Sequence, residues 1–112
     1  MTPVDVVQGT LDMLALKALS SGAMHGHAVL LWLRSATQNE LQLDGAALYP
    51  ALHRLEERGL IDAEWGISEN NRRAKFYKLT TRGRAALRSE ADTWQQYVKV
   101  VARIMSAGEQ RA

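Results

Sequence analysis

The sequence contains no cysteine, so neither disulfide staples nor thiolate metal sites are open to it, and the absence fits a reducing, cytoplasmic setting. It also lacks the unbroken apolar run of about 20 residues that a membrane span needs. The opening stretch MTPVDVVQGTLDMLALKAL has no basic leader region and carries Asp5 and Asp12, which argues against a secretory signal. Charged residues make up 23%, too few and too mixed in sign for a disordered chain, beside an ordinary 46% of hydrophobic residues. The parts of an enzyme are missing as well. No nucleophile has a partner base, Gly22 and Gly26 do not make a phosphate loop, and the Glu56-Glu57 pair has no spacing that would hold a metal or split its pKa values. His25 and His27 stand two apart, which on a helix sends them to different faces, so no metal or other cofactor is expected. With 112 residues the chain has room for one compact unit, and whatever it does must share a single core.

What is present is an uneven distribution of charge. Residues 1–71 hold four basic and nine acidic side chains, residues 72–88 hold seven and none, and residues 89–112 hold three and three. Half of all Lys and Arg therefore falls in one short segment. That segment is either a solvated face or a local positive field on an otherwise acidic chain.

The periodicity gives the elements. Thr10 is placed to cap a first helix with Leu11, Leu14, Ala15, Ala18 and Leu19 at helical spacing, ending near Ser20-Ser21-Gly22. A second helix starts around His25-Gly26 and carries Val29, Leu30 and Leu33, while Leu31 and Trp32 widen its stripe toward another element or subunit. Asp44 opens a third, with Leu48, Leu52 and Leu55 on one face and Tyr49, His53, Arg54 and Glu57 largely on the others; Pro50 lies in its first turns and Gly59 stops it. Leu60–Trp65 and Ala74–Leu79 then read as two strands around a long polar tip. Thr80 or Thr81 caps a last helix that runs to about Ser106. On it Leu87, Ala91, Trp94, Val98, Val101 and Met105 recur at steps of four and three, the seam spacing of helices packed along their length. Tyr97, Val100, Ala102 and Ile104 widen that stripe beyond the needs of one small domain. A second subunit is expected to cover it, with Leu11 and Leu14 joining the interface; the alternative is a helix folded back on its own domain.

The expected fold is mainly α with a small β-hairpin, an α+β winged helix-turn-helix over residues 1–80 with a dimerisation helix at 81–112, all one compact unit. In such a fold a helix held down by buried leucines exposes its other face to the major groove, here over residues 44–58. Tyr49, Pro50, His53 and Arg54 are the candidates on it. The hairpin at 61–79 forms a wing whose tip and return strand carry Asn71, Arg72, Arg73, Lys75 and Lys78 with no acidic neighbour, set against phosphates. Each has a plainer reading: Tyr49 packing across the helix pair, Arg54 solvated or paired with Glu57. Trp65 reads as packing at the core or wing base.

The run LYPALHRLEERGLI from Leu48 to Ile61, followed by AEWG and then ENNRRAKFYKLTTRG, resembles the PadR family of winged helix regulators. The resemblance extends back through QGTLDMLALKALSSGAMHGH and forward to the single C-terminal helix of short family members. It implies a homodimeric transcriptional repressor that binds double-stranded DNA, with its C-terminal helix at the dimer interface and an operator of two-fold symmetry. Two positions depart from the family pattern. Ala46 and Ala47 stand where a Gly followed by Ser or Thr is usual, which removes a phosphate-reaching hydroxyl worth about 1 kcal/mol. His27 stands where Tyr usually follows the His-Gly.

Two other classes of function fit the same pattern. One is a helical dimer whose basic hairpin binds an acidic protein. The other is a ligand-binding dimer of weak DNA affinity, in which Trp94, rather than serving as plain seam core, lines a cleft for a small apolar or aromatic effector.

Overall fold

In a computed structural model that describes residues 3–108, the elements run β1 (Val4–Asp5), α1 (Leu11–Ala18), a 3-10 turn (Leu19–Ser21), β2 (Met24–His25), α2 (Gly26–Ala36), β3 (Leu41–Gln42), α3 (Gly45–Glu57), β4 (Ile61–Ile67), β5 (Arg73–Leu79) and α4 (Thr81–Ser106). The outer ends of the expected spans, residues 1–2 and 109–112, lie outside the described residues. Helix order, hairpin and long last helix match the expected winged helix-turn-helix.

Local chemistry sets the boundaries. Asp44 caps α3 by accepting a hydrogen bond from the Ala47 N–H at 3.1 Å, and Thr80 caps α4 by accepting from the Gly83 N–H at 3.0 Å. Thr10 does not cap α1 as expected. It is already helical, and its hydroxyl donates to the Val7 carbonyl at 2.7 Å instead. Gly59, at φ 75°, takes the left-handed turn that ends α3 and releases the chain into β4.

The core lies where the three short helices meet the hairpin base: Ala15, Leu16, Ala18 and Leu19 from α1, Val29, Leu30 and Leu33 from α2, Leu48, Leu52 and Leu55 from α3, and Ile61 and Leu79 from the hairpin. Each buried leucine contributes about 1.5–3 kcal/mol relative to exposure. β4 and β5 pair antiparallel from Ile61↔Leu79 out to Ile67↔Arg73, so the outgoing strand ends two residues later than expected. The three two-residue strands carry too little periodicity to be seen in the sequence. β2 joins β5 at Met24↔Tyr77 and His25↔Phe76, and β1 lies parallel to β3, fastening the N-terminal segment to the α2–α3 connection.

α4 departs from this body. Its first turn packs so closely that a Cβ on Gly83 would strike the Leu60 carbonyl, and Ala86 and Leu87 reach the core, but Gly83 is its only buried residue. Its middle runs alongside the N-terminal segment and α1 as far as Trp94 and Tyr97, and the end beyond them projects outward, giving the molecule extents of 62 × 32 × 21 Å. Leu11 and Leu14, expected at a subunit interface, pack half-buried against their own core.

Candidate nucleic-acid interface

Helical spacing divides α3. Leu48, Ala51, Leu52 and Leu55 are buried; Ala46, Pro50, His53 and Glu57 mark the opposite, exposed face, with Tyr49 and Arg54 at its edges. The Tyr49 ring lies across the start of both helices of the helix-turn-helix. A Cβ on Gly26 would stand 3.0 Å from that ring and one on Gly45 2.7 Å, so glycine at both positions makes its seat. Tyr49 nevertheless stays 46% exposed, and the packing and the DNA-facing readings of this residue are compatible.

At the other edge, Asp12 of α1 reaches α3. One carboxylate oxygen lies 3.4 Å from Arg54 Nη2 and the other 3.4 Å from Arg58 Nη1. The partner of Arg54 is therefore Asp12, not Glu57; Glu57 lies 3.7 Å from His53.

The wing turns through residues 68–72. The Ser68 N–H donates to the Arg72 carbonyl at 2.8 Å, and Asn71 takes φ 59°, a left-handed conformation that asparagine tolerates. Among the described residues no carboxylate is within ion-pair distance of Arg72 or Arg73. Arg73 instead lies over the Trp65 ring, 4.6 Å from its centroid. Two expectations need correction here. Lys75 does have an acidic neighbour: its Nζ lies 2.9 Å from Glu56 Oε1, and that hydrogen bond holds the lysine above its usual pKa. The helix charge that compensates it is far away in sequence but adjacent in space. Trp65 is no core residue either, being 59% exposed, because the hairpin carries it past the end of the core.

His25 is a residue whose structural role the sequence did not reveal. Buried, it caps α2 through Nδ1, which accepts from the Ala28 N–H at 3.1 Å. Its Nε2 then carries the proton and points at Glu69 Oε1, 3.4 Å away on the wing tip, while Phe76 meets the ring edge-on. Glu69's own backbone N–H, and then His25, hold the Glu69 carboxyl below the ordinary range. Among the described residues there is no group of three or more metal-ligating side chains.

Along α4, Ala91, Trp94 and Val101 are half-buried while Val98, Tyr97, Ile104 and Met105 are exposed, Met105 to 72%. Trp94 and Tyr97, centroids 6.3 Å apart, line an open cavity of about 480 Å³ with Val7 and Met13.

A three-helix body, a hairpin beside the third helix and a long projecting helix define a winged helix DNA-binding protein. Residues 15–89 match the model of the transcriptional regulator PadR-like family. The chain belongs to that family. It is similar to a transcriptional regulator from Clostridium thermocellum (26% identity, 86% of this chain and 93% of that one, TM-score 0.78). It is also similar to a PadR family transcription regulator from Clostridium difficile (25%, 87% and 99%, TM-score 0.74) and to one from Eggerthella lenta (28%, 88% and 83%, TM-score 0.73). An uncharacterized protein of Lysinibacillus sphaericus is 26% identical over 97 residues, 87% of this chain and 89% of that protein. Among the described residues no helix is long and apolar enough to cross a membrane.

Proposed function

We propose that the protein is a homodimeric repressor that binds a two-fold symmetric operator, setting the outer face of α3 in the major groove and the wing against the phosphates. The observation that carries this reading is the pair of arginines at the wing, Arg72 and Arg73, with no carboxylate partner among the described residues, beside a helix whose Tyr49, Pro50, His53 and Arg54 are exposed. Arginines left free of intramolecular partners bind phosphate without first breaking an ion pair. Lys75 contributes less than Arg72 and Arg73, being engaged by Glu56.

Residues 1–80 supply the DNA-binding part and residues 81–112 the dimer contact of a single unit. The uncovered apolar side chains of α4, Val98 and Met105 among them, support a second copy on that face. Selection of bound fragments from random duplex DNA tests the whole. Enrichment of an inverted repeat with half-sites about 34 Å apart is expected; no enrichment would favour an acidic protein partner.

The cavity at Trp94 favours an addition to this reading. Its aromatic wall suits a small planar effector that alters the dimer, and calorimetric titration with flat aromatic compounds, compared with Trp94→Ala, tests it.

A further inference from the structure

The outer half of the wing carries two large apolar side chains with no core to enter. Trp65 and Ile67 project from the same face of β4 and are 59% and 64% exposed. Directly across from Ile67 in register stands Arg73, and directly across from Trp65 stands Lys75. The two cations are engaged differently. Lys75 turns back to Glu56 on α3, while Arg73 takes the diagonal and lays its guanidinium over the indole.

We infer that Trp65 is a positioning residue for DNA binding, which holds the Arg73 guanidinium extended and oriented at the wing for a backbone phosphate. The inference rests on the proposed DNA reading and adds to it a residue that acts through Arg73 rather than on the phosphate itself. An exposed arginine loses much side-chain freedom when it binds a phosphate. Stacking on a flat ring removes part of that freedom beforehand and leaves the edge of the guanidinium, where its N–H donors lie, open to an anion. A carboxylate in the same place would orient the arginine equally well but would cancel its charge. The indole orients without neutralising, and this accounts for a large exposed aromatic in an uncovered strand.

The experiment is a double-substitution cycle read by binding to a short random-sequence duplex at low salt, since phosphate contacts do not depend on base sequence. Trp65→Ala is expected to weaken binding about two- to five-fold, Trp65→Phe to recover most of the loss, and Trp65→Ala to add nothing once Arg73 is already Ala. Losses that add in the double variant, or a Trp65→Ala protein that binds as tightly as the parent, overturn the inference and leave the DNA reading standing. A parent protein that does not bind the duplex overturns both. The stacking has its own readout in the free protein: the Arg73 side-chain NMR resonances should carry a ring-current shift that Trp65→Ala removes, and its absence from the parent overturns the inference. Far-UV circular dichroism identifies any variant that fails to fold, and Trp65→Phe then carries the cycle.

Discussion

Lys75 Nζ on β5 lies 2.9 Å from Glu56 Oε1 on α3, a bond that ties the wing to the helix beside it and withdraws one cation from the wing's free charge. Glu56→Gln should release that cation. Random-duplex binding should tighten, and the log-log salt slope should steepen by at most about one unit per protomer. Lys75→Ala should barely alter the slope, whereas Arg72→Ala and Arg73→Ala should each flatten it. The raised lysine pKa also gives a pH signature. Its stabilisation is complete below the ordinary value of 10.5 and is lost as pH rises through the raised one, so Glu56→Gln should remove that alkaline dependence from thermal melts.

Asp12 divides its carboxylate between Arg54 and Arg58, both more than half exposed. Asp12→Asn should lower stability by about 0.5 kcal/mol, as for other exposed pairs. It should also strengthen binding to random duplex DNA by freeing two arginines. Chemical denaturation and a duplex titration on the same sample separate the effects, and a variant with unchanged affinity would show that neither arginine approaches DNA.

The elements that bury a periodic face were legible in the sequence. Leu48, Leu52 and Leu55 announced α3 and the side it hides, and Asp44, Thr80 and Gly59 marked its ends and the next start through capping chemistry that depends only on near neighbours. The ion pairs were not legible. Asp12 meets Arg58 across 46 positions and Glu56 meets Lys75 across 19, distances over which no periodicity speaks. Trp65 misled for a related reason. A strand-end aromatic reads as packing, but how far the core extends under the hairpin depends on where α3 ends in space, and Trp65 lies past that point. The capping role of His25 was not legible either, because only the folded chain brings Glu69 and Phe76 to its ring.

Gly83 is required by contact rather than by backbone conformation. Any Cβ there runs into the Leu60 carbonyl, a backbone atom that cannot turn aside. Gly83→Ala should therefore destabilise the protein by about 2–3 kcal/mol, despite alanine's better helix propensity, and differential scanning calorimetry should show a correspondingly lower Tm.

Val98 stands in the middle of the uncovered stripe of α4 and is itself exposed. Val98→Glu places a carboxylate where a second copy is proposed to pack and leaves the single chain's core untouched. Sedimentation should then find monomers where the parent sediments as a dimer, with an unchanged circular dichroism spectrum. A dimer that persists would move the interface to another surface.

Glu69 gives the wing tip a dependence on acid. Its carboxyl is held below the ordinary value of 4.5 by its own backbone N–H and by the His25 ring, with His27 adding a smaller attraction. A carboxyl with a depressed folded pKa stabilises the fold above its unfolded value and loses that contribution as pH falls through the folded one. The tie between the tip and the capping histidine of α2 should therefore hold from neutrality down to about 4.5 and release below it. NMR amide shifts of Asn70, Asn71 and Arg72 should follow that release in the parent and lose the step in Glu69→Gln. An identical step in both proteins would assign the acid response to a different group and leave Glu69 as a solvated side chain.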